Sequence, residues 1–138
     1  MRPFEELRAW QAAHALTLAI YRATASLPTH ENYGLTSQLR RAATSIGSNI
    51  VEGSARGDAE FHQFLRISLG SAAEVEYQLL LARDLGYLDA ETQGALANDL
   101  GSLKRMLVTF MKTVRAPVGT QRRQRPTANG QLQAGGIQ

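Results

Sequence analysis

The stretch "SIGSNIVEGSARG", residues 45–57, decides how the whole chain is read. Three serines, three glycines and an asparagine give it the composition of a loop, yet Ile46 and Ile50 stand four apart, as on one face of a helix. On a helical wheel the segment and the residues before it resolve into two adjacent stripes. Ala42, Ala43, Ile46, Ile50 and Gly53 form an apolar one. Beside it Arg41, Ser45, Asn49, Glu52 and Arg56 step 4-4-3-4 along one line. The spacing predicts the C-terminal half of a helix whose small residues admit a close neighbour. The polar line reads either as a hydrogen-bonded edge of the core or subunit contact, or as a polar binding site. Both readings stay open from these residues alone.

Three further segments carry helical periodicity. The predicted helices span about 5–26, 35–55, 58–85 and 89–116, with Asp58 and Asp89 as N-cap residues of the third and fourth. In the fourth, Leu96, Leu100, Leu103, Leu107, Phe110 and Val114 step 4-3-4-3-4. In the third, Phe61, Leu65, Ser68, Ala72, Val75 and Leu79 do the same. Seams of this kind joined by short links imply an all-α protein, an antiparallel up-and-down four-helix bundle over residues 1–116. Helices two and three, linked around Gly57, must be neighbours. Residues 117–138 are rich in Gly, Gln and Arg and poor in apolar side chains, so a disordered polar tail is expected there.

Two helices carry more apolar surface than one seam uses. The first has Leu7, Trp10, His14, Leu18, Tyr21 and Ala25 on one side and Ala13, Leu16, Ile20 and Leu27 on the other. The third places Ile67, Tyr77 and Leu81 away from its seam. A helix apolar on two faces needs two packing partners, which predicts a homo-oligomer.

Charge and composition exclude several classes. Three of the 15 basic residues, Arg122, Arg123 and Arg125, lie in the acid-free tail, so 12 remain to face 12 acids in the body. The basic pI of 9.7 thus describes a tail on a neutral domain. No apolar run is long enough for a membrane helix, and the N-terminal segment with Glu5 and Glu6 lacks the apolar region of a secretory leader. Cysteine is absent, which removes disulfides, thiolate catalysis and Cys-ligated zinc. A cytoplasmic protein is the expectation.

Catalysis finds no support. The inward Glu-x-x-His pairs of di-iron bundles do not occur, and neither do G-x-S-x-G, P-loop or G-x-G-x-x-G strings. Asp58 and His62 stand i,i+4 without further ligands nearby, and His14 on an apolar face reads as a core histidine. No cofactor, metal or small-molecule substrate is expected. Glu76 falls within the apolar arc of helix three, where a buried carboxylate needs a partner; Arg41, Arg56 or Asn49 could supply it. Lys104, Arg105, Lys112 and Arg115 make the end of helix four basic and, with the tail arginines, could form a phosphate-contacting strip for RNA or DNA. Lys112 and Arg115 equally complement the helix macrodipole.

"YGLTSQLRRAATSIGSNIVEGSARG" (33–57) and "EFHQFLRISLGSAAEVEYQLLLARDLGYL" (60–88), preceded by "FEELRAWQAAHAL", resemble the four-helix bundle proteins encoded in intervening sequences of bacterial 23S ribosomal RNA genes. The resemblance implies a ring-like homopentamer without enzymatic activity and, from the genomic setting, an association with RNA. A more distant resemblance is to the accessory protein of diversity-generating retroelements, a more basic pentamer that binds nucleic acid and a reverse transcriptase. That resemblance implies the alternative of an accessory module acting with such a partner; the neutral body departs from it. Arg41, Ser45, Asn49, Glu52, Gly53 and Glu76 fall on the motif, and Gly47 stands where the family often has proline.

Overall fold

The computed structural model describes residues 3–114. A 3-10 turn, Phe4–Glu6, leads into α1 (Arg8–Thr24). A second, Thr29–Glu31, precedes α2 (Leu35–Ser54), and α3 (Asp58–Asp84) and α4 (Ala90–Thr113) follow. α1 packs on α2 and α4, and α3 packs on the same two helices, so α1 and α3 occupy opposite corners of an up-and-down four-helix bundle. The seams meet on its axis, where Ile20, Leu39, Ile46, Ile50, Leu65, Leu79, Leu103 and Leu107 are fully buried. Burying each such side chain stabilises the fold by about 1.5–3 kcal/mol. Arg115, Arg122, Arg123, Arg125 and the 117–138 tail lie outside the described residues.

α1 spends only one of its two apolar faces on this core. Ala9, Ala13, Leu16 and Ile20 point inward, while Leu18 and Tyr21 are exposed. His14 is also exposed, stacked on Trp10 with ring centroids 5.0 Å apart, which corrects its reading as a core histidine.

The helix ends follow local chemistry. α3 stops in a Schellman turn: Gly86 has φ +80°, its N–H donates to the Arg83 carbonyl, and the Tyr87 N–H donates to the Ala82 carbonyl. Asp89 caps α4, accepting from the Thr92 N–H at 2.7 Å. Asp58 does not cap α3. Gly57 takes that position and Asp58 is the first helical residue, where its charge complements the N-terminal dipole.

Glu31 ties two loops together at one end of the bundle. One carboxylate oxygen accepts from the Leu35 N–H at 2.9 Å, capping α2, and the other accepts from the Tyr87 hydroxyl at 2.9 Å. The Leu35 N–H first, and then the Tyr87 hydroxyl, hold the Glu31 carboxyl below its ordinary value of 4.5. A depressed pKa contributes stability that is present above the unfolded value and lost as pH falls through the folded one. Thermal melts of the native chain should therefore show a falling midpoint as pH drops below about 4.5. Glu31→Gln, with no carboxyl to titrate, should lower the midpoint at neutral pH and flatten its acid dependence; an unchanged acid limb would remove Glu31 from its origin.

Candidate functional site

Residues 45–57 are helical through Ser54, so the opening stretch is a packed helix end and not a loop. Its small residues stitch α2 to α3. The fully buried Ser68 hydroxyl donates to the Ile46 carbonyl at 2.8 Å. Ser45 and Ser71 hydroxyls share a hydrogen bond of 2.9 Å, and the Asn49 amide donates to the Ser45 carbonyl and hydroxyl at 2.8 and 3.0 Å. At Gly53 the two helices are in close contact. A Cβ there would lie 2.7 Å from Phe61 Cδ1 and 2.8 Å from Phe64 Cβ. Only hydrogen fits.

The polar line does not form one network. Ser45 bonds Ser71 of α3 and Asn49 bonds Ser45, whereas Glu52 pairs with Arg56 on the surface, and Arg56 also lies 3.9 Å from Glu60 and over the Phe64 ring. Arg41 is exposed and makes no bond to this set among the described residues. Glu76 is exposed as well, which corrects its reading as a buried carboxylate partnered by α2. It accepts from Lys104 Nζ of α4 at 2.7 Å. Position 76 sits on the edge of α3 that borders α4, and the Ser45–Asn49 line packs against the other edge. A half-exposed pair of this kind contributes about 0–1 kcal/mol.

That pair also divides the cations of α4. Lys104 turns toward α3, while Arg105 turns toward α1 and donates to the Ser102 hydroxyl at 3.1 Å. Between α1 and α4 lies an open cleft of about 610 Å³. Arg8 and Arg105 line it together with the hydroxyl residues Ser102, Thr109 and Thr113, over Met106 and Phe110. No acidic residue is among its lining in the described residues. Lys112 is exposed two turns beyond Arg105. Arg8 escaped the sequence reading because it is a lone cation in another helix. The signal available was its position: a cation in the first turn of a helix opposes the macrodipole.

A second, smaller cleft of about 190 Å³ lies between α1 and α2, lined by Trp10, His14, Gly47 and Val51 among others. It continues the exposed apolar stripe of α1, where Arg40 lies 4.6 Å from the centre of the Tyr21 ring. Among the described residues no cluster of three or more His, Asp or Glu side chains could hold a metal ion, and His62 is half-buried beside no such group. No described helix is long and apolar enough to cross a membrane.

A family model described as 23S rRNA-intervening sequence protein matches residues 5–109. The chain belongs to that family. The match runs from the turn before α1 nearly to the end of α4, so it takes in the α2–α3 contact and most of the lining of both clefts. A crystal structure of a protein of unknown function from the S23 ribosomal protein family of Bacteroides thetaiotaomicron shares the fold, with a TM-score of 0.69 and 25% identity over 75% of this chain and 95% of that one. No curated protein matches the chain. Neither description names a reaction.

Two of the three glycines of the opening stretch, Gly53 and Gly47, give opposite expectations. Gly53→Ala must push α3 away through the Phe64 backbone side, so it should destabilise by about 1 kcal/mol or more despite alanine's better helix propensity. At Gly47 a Cβ would meet only ordinary contacts, 3.7 Å from Trp10 Nε1 and 3.9 Å from Ala13 Cβ. Gly47→Ala should stabilise by about 0.5–1 kcal/mol. Chemical denaturation of both variants checks the pair, and equal effects would show that α2 and α3 are not in close contact at Gly53.

Proposed function

We propose that this family member is a non-catalytic, self-assembling cytoplasmic protein that associates with RNA as a homopentameric ring. The observation that carries the assembly is the apolar surface left on two opposite helices. Leu18 and Tyr21 on α1 are 41% and 43% exposed, and Ile67 and Tyr77 on α3 are 45% and 63% exposed. Because α1 and α3 sit at opposite corners, the two stripes form no single self-complementary patch. Contact of one copy's α1 stripe with the next copy's α3 stripe is heterologous, and heterologous contacts close into rings when the rotation permits. The number five comes from the family resemblance.

The RNA association is supported by the family's description and by the cations bordering the α1–α4 cleft, which have no acidic partner among the described residues. The neutral body argues for contacts confined to that side, with the tail arginines adding phosphate contacts that are weakened by salt.

Light scattering on the native chain should report a particle several times the 15.1 kDa protomer. Leu18→Glu and Tyr77→Glu should each dissociate it with helicity unchanged. Each variant keeps one intact face, so mixing the two should produce dimers that neither forms alone. A monodisperse monomer of the native chain at micromolar concentration would defeat the proposal.

A further inference from the structure

The α1–α4 cleft has features that neither self-assembly nor the core needs. Its volume of about 610 Å³ is that of a small-ligand site. Its two charges among the described residues are both guanidiniums, one on each wall, and no carboxylate is among the described lining. Arg105 is held in place by Ser102, so part of the entropy of ordering a long side chain is already spent before anything binds. Guanidiniums present planar donor forks that suit phosphate oxygens. Along the α4 wall Thr109 adds a hydroxyl donor and acceptor, and Thr113, whose proton goes to the Phe110 carbonyl at 2.8 Å, adds a hydroxyl acceptor, groups of the kind that meet sugar hydroxyls. The floor, Met106 and Phe110, is apolar and partly accessible. A ligand that fits must carry an anion, a polar middle and an apolar face. These are the parts of a nucleotide.

We infer that the α1–α4 cleft binds one unpaired nucleotide of an RNA strand, with its phosphate between Arg8 and Arg105 and its base against Met106 and Phe110. This deepens the RNA association proposed above and rests on it. The strand, rather than a free nucleotide, is favoured because the cleft is open to solvent and because Lys112 continues the cationic face of α4 beyond it. An unpaired base is required because a base inside a duplex has no free face to lay on an apolar floor. Trp10 and Tyr21 of the α1 stripe border α2, so assembly through that side leaves the α1–α4 side free.

The test uses the full native chain, with three probes: adenosine 5′-monophosphate, a single-stranded RNA octamer, and the same octamer as a duplex. The readouts are the Met106 methyl resonance and binding affinity. The octamer should shift Met106 and should be displaced by excess adenosine monophosphate, while the duplex should leave Met106 in place. Arg8→Gln and Arg105→Gln should each weaken octamer binding about tenfold. Lys104→Gln, whose side chain is turned away toward Glu76, should bind as the native chain does. Equal weakening by Lys104→Gln, or octamer binding with Met106 unmoved, would overturn the cleft while leaving the RNA association standing. Adenosine monophosphate shifting Met106 with no octamer bound would overturn the strand and mark a free-nucleotide site. Absence of binding by all three probes and by ribosomal RNA would remove both readings.

Discussion

The close approach of α2 and α3 is the constraint on which the rest of the structure depends. Missing a side chain at Gly53, α2 lets Phe61 and Phe64 come to where a Cβ would stand, and the buried Ser68 hydroxyl reaches the Ile46 carbonyl. α2 is thereby pressed against α3 along its length, and the Ser45–Ser71 bond holds the edge of the contact. With those two helices fixed, α1 and α4 can only lie in the grooves opposite, and the apolar side chains they do not bury there are left on the outside. Ser45 and Asn49 of the opening stretch support this contact, while Glu52 and Arg56 pair with each other on the surface.

Much of the fold was legible in the sequence. The 4-3 spacing of Leu96 to Val114 and of Phe61 to Leu79 reports burial directly, and Ile46 and Ile50 are as deeply buried as their spacing implies. Which face of α1 turns inward was not legible, because both are apolar and nothing local ranks Leu16 and Ile20 above Leu18 and Tyr21. Glu76 shows a related limit. A wheel gives an angle about one helix, but whether a residue at the rim of the arc is covered depends on the length of its neighbours. Glu76 is long and meets Lys104, and the pair reaches solvent.

The candidate sites were less legible than the fold. Sequence adjacency joined Lys104 with Arg105, yet 100° of rotation sends one toward α3 and the other toward α1. Arg8 joins Arg105 only through the packing of α1 on α4, a contact between residues almost a hundred positions apart. A neutral body can therefore hold a locally cationic cleft, and net charge alone conceals it. Under the proposed assembly the apolar stripes on α1 and α3 would meet between copies, leaving the α1–α4 cleft on another side.

The central claim, that one copy's α1 stripe lies on the next copy's α3 stripe, is tested most directly by cross-linking. The chain contains no cysteine, so Leu18→Cys with Tyr77→Cys introduces the only thiols. Mild oxidation of the double variant should produce a ladder that ends abruptly at the closed ring, while each single variant stays uncross-linked. Monomers alone from the double variant, or dimers from the Leu18→Cys variant by itself, would contradict the account.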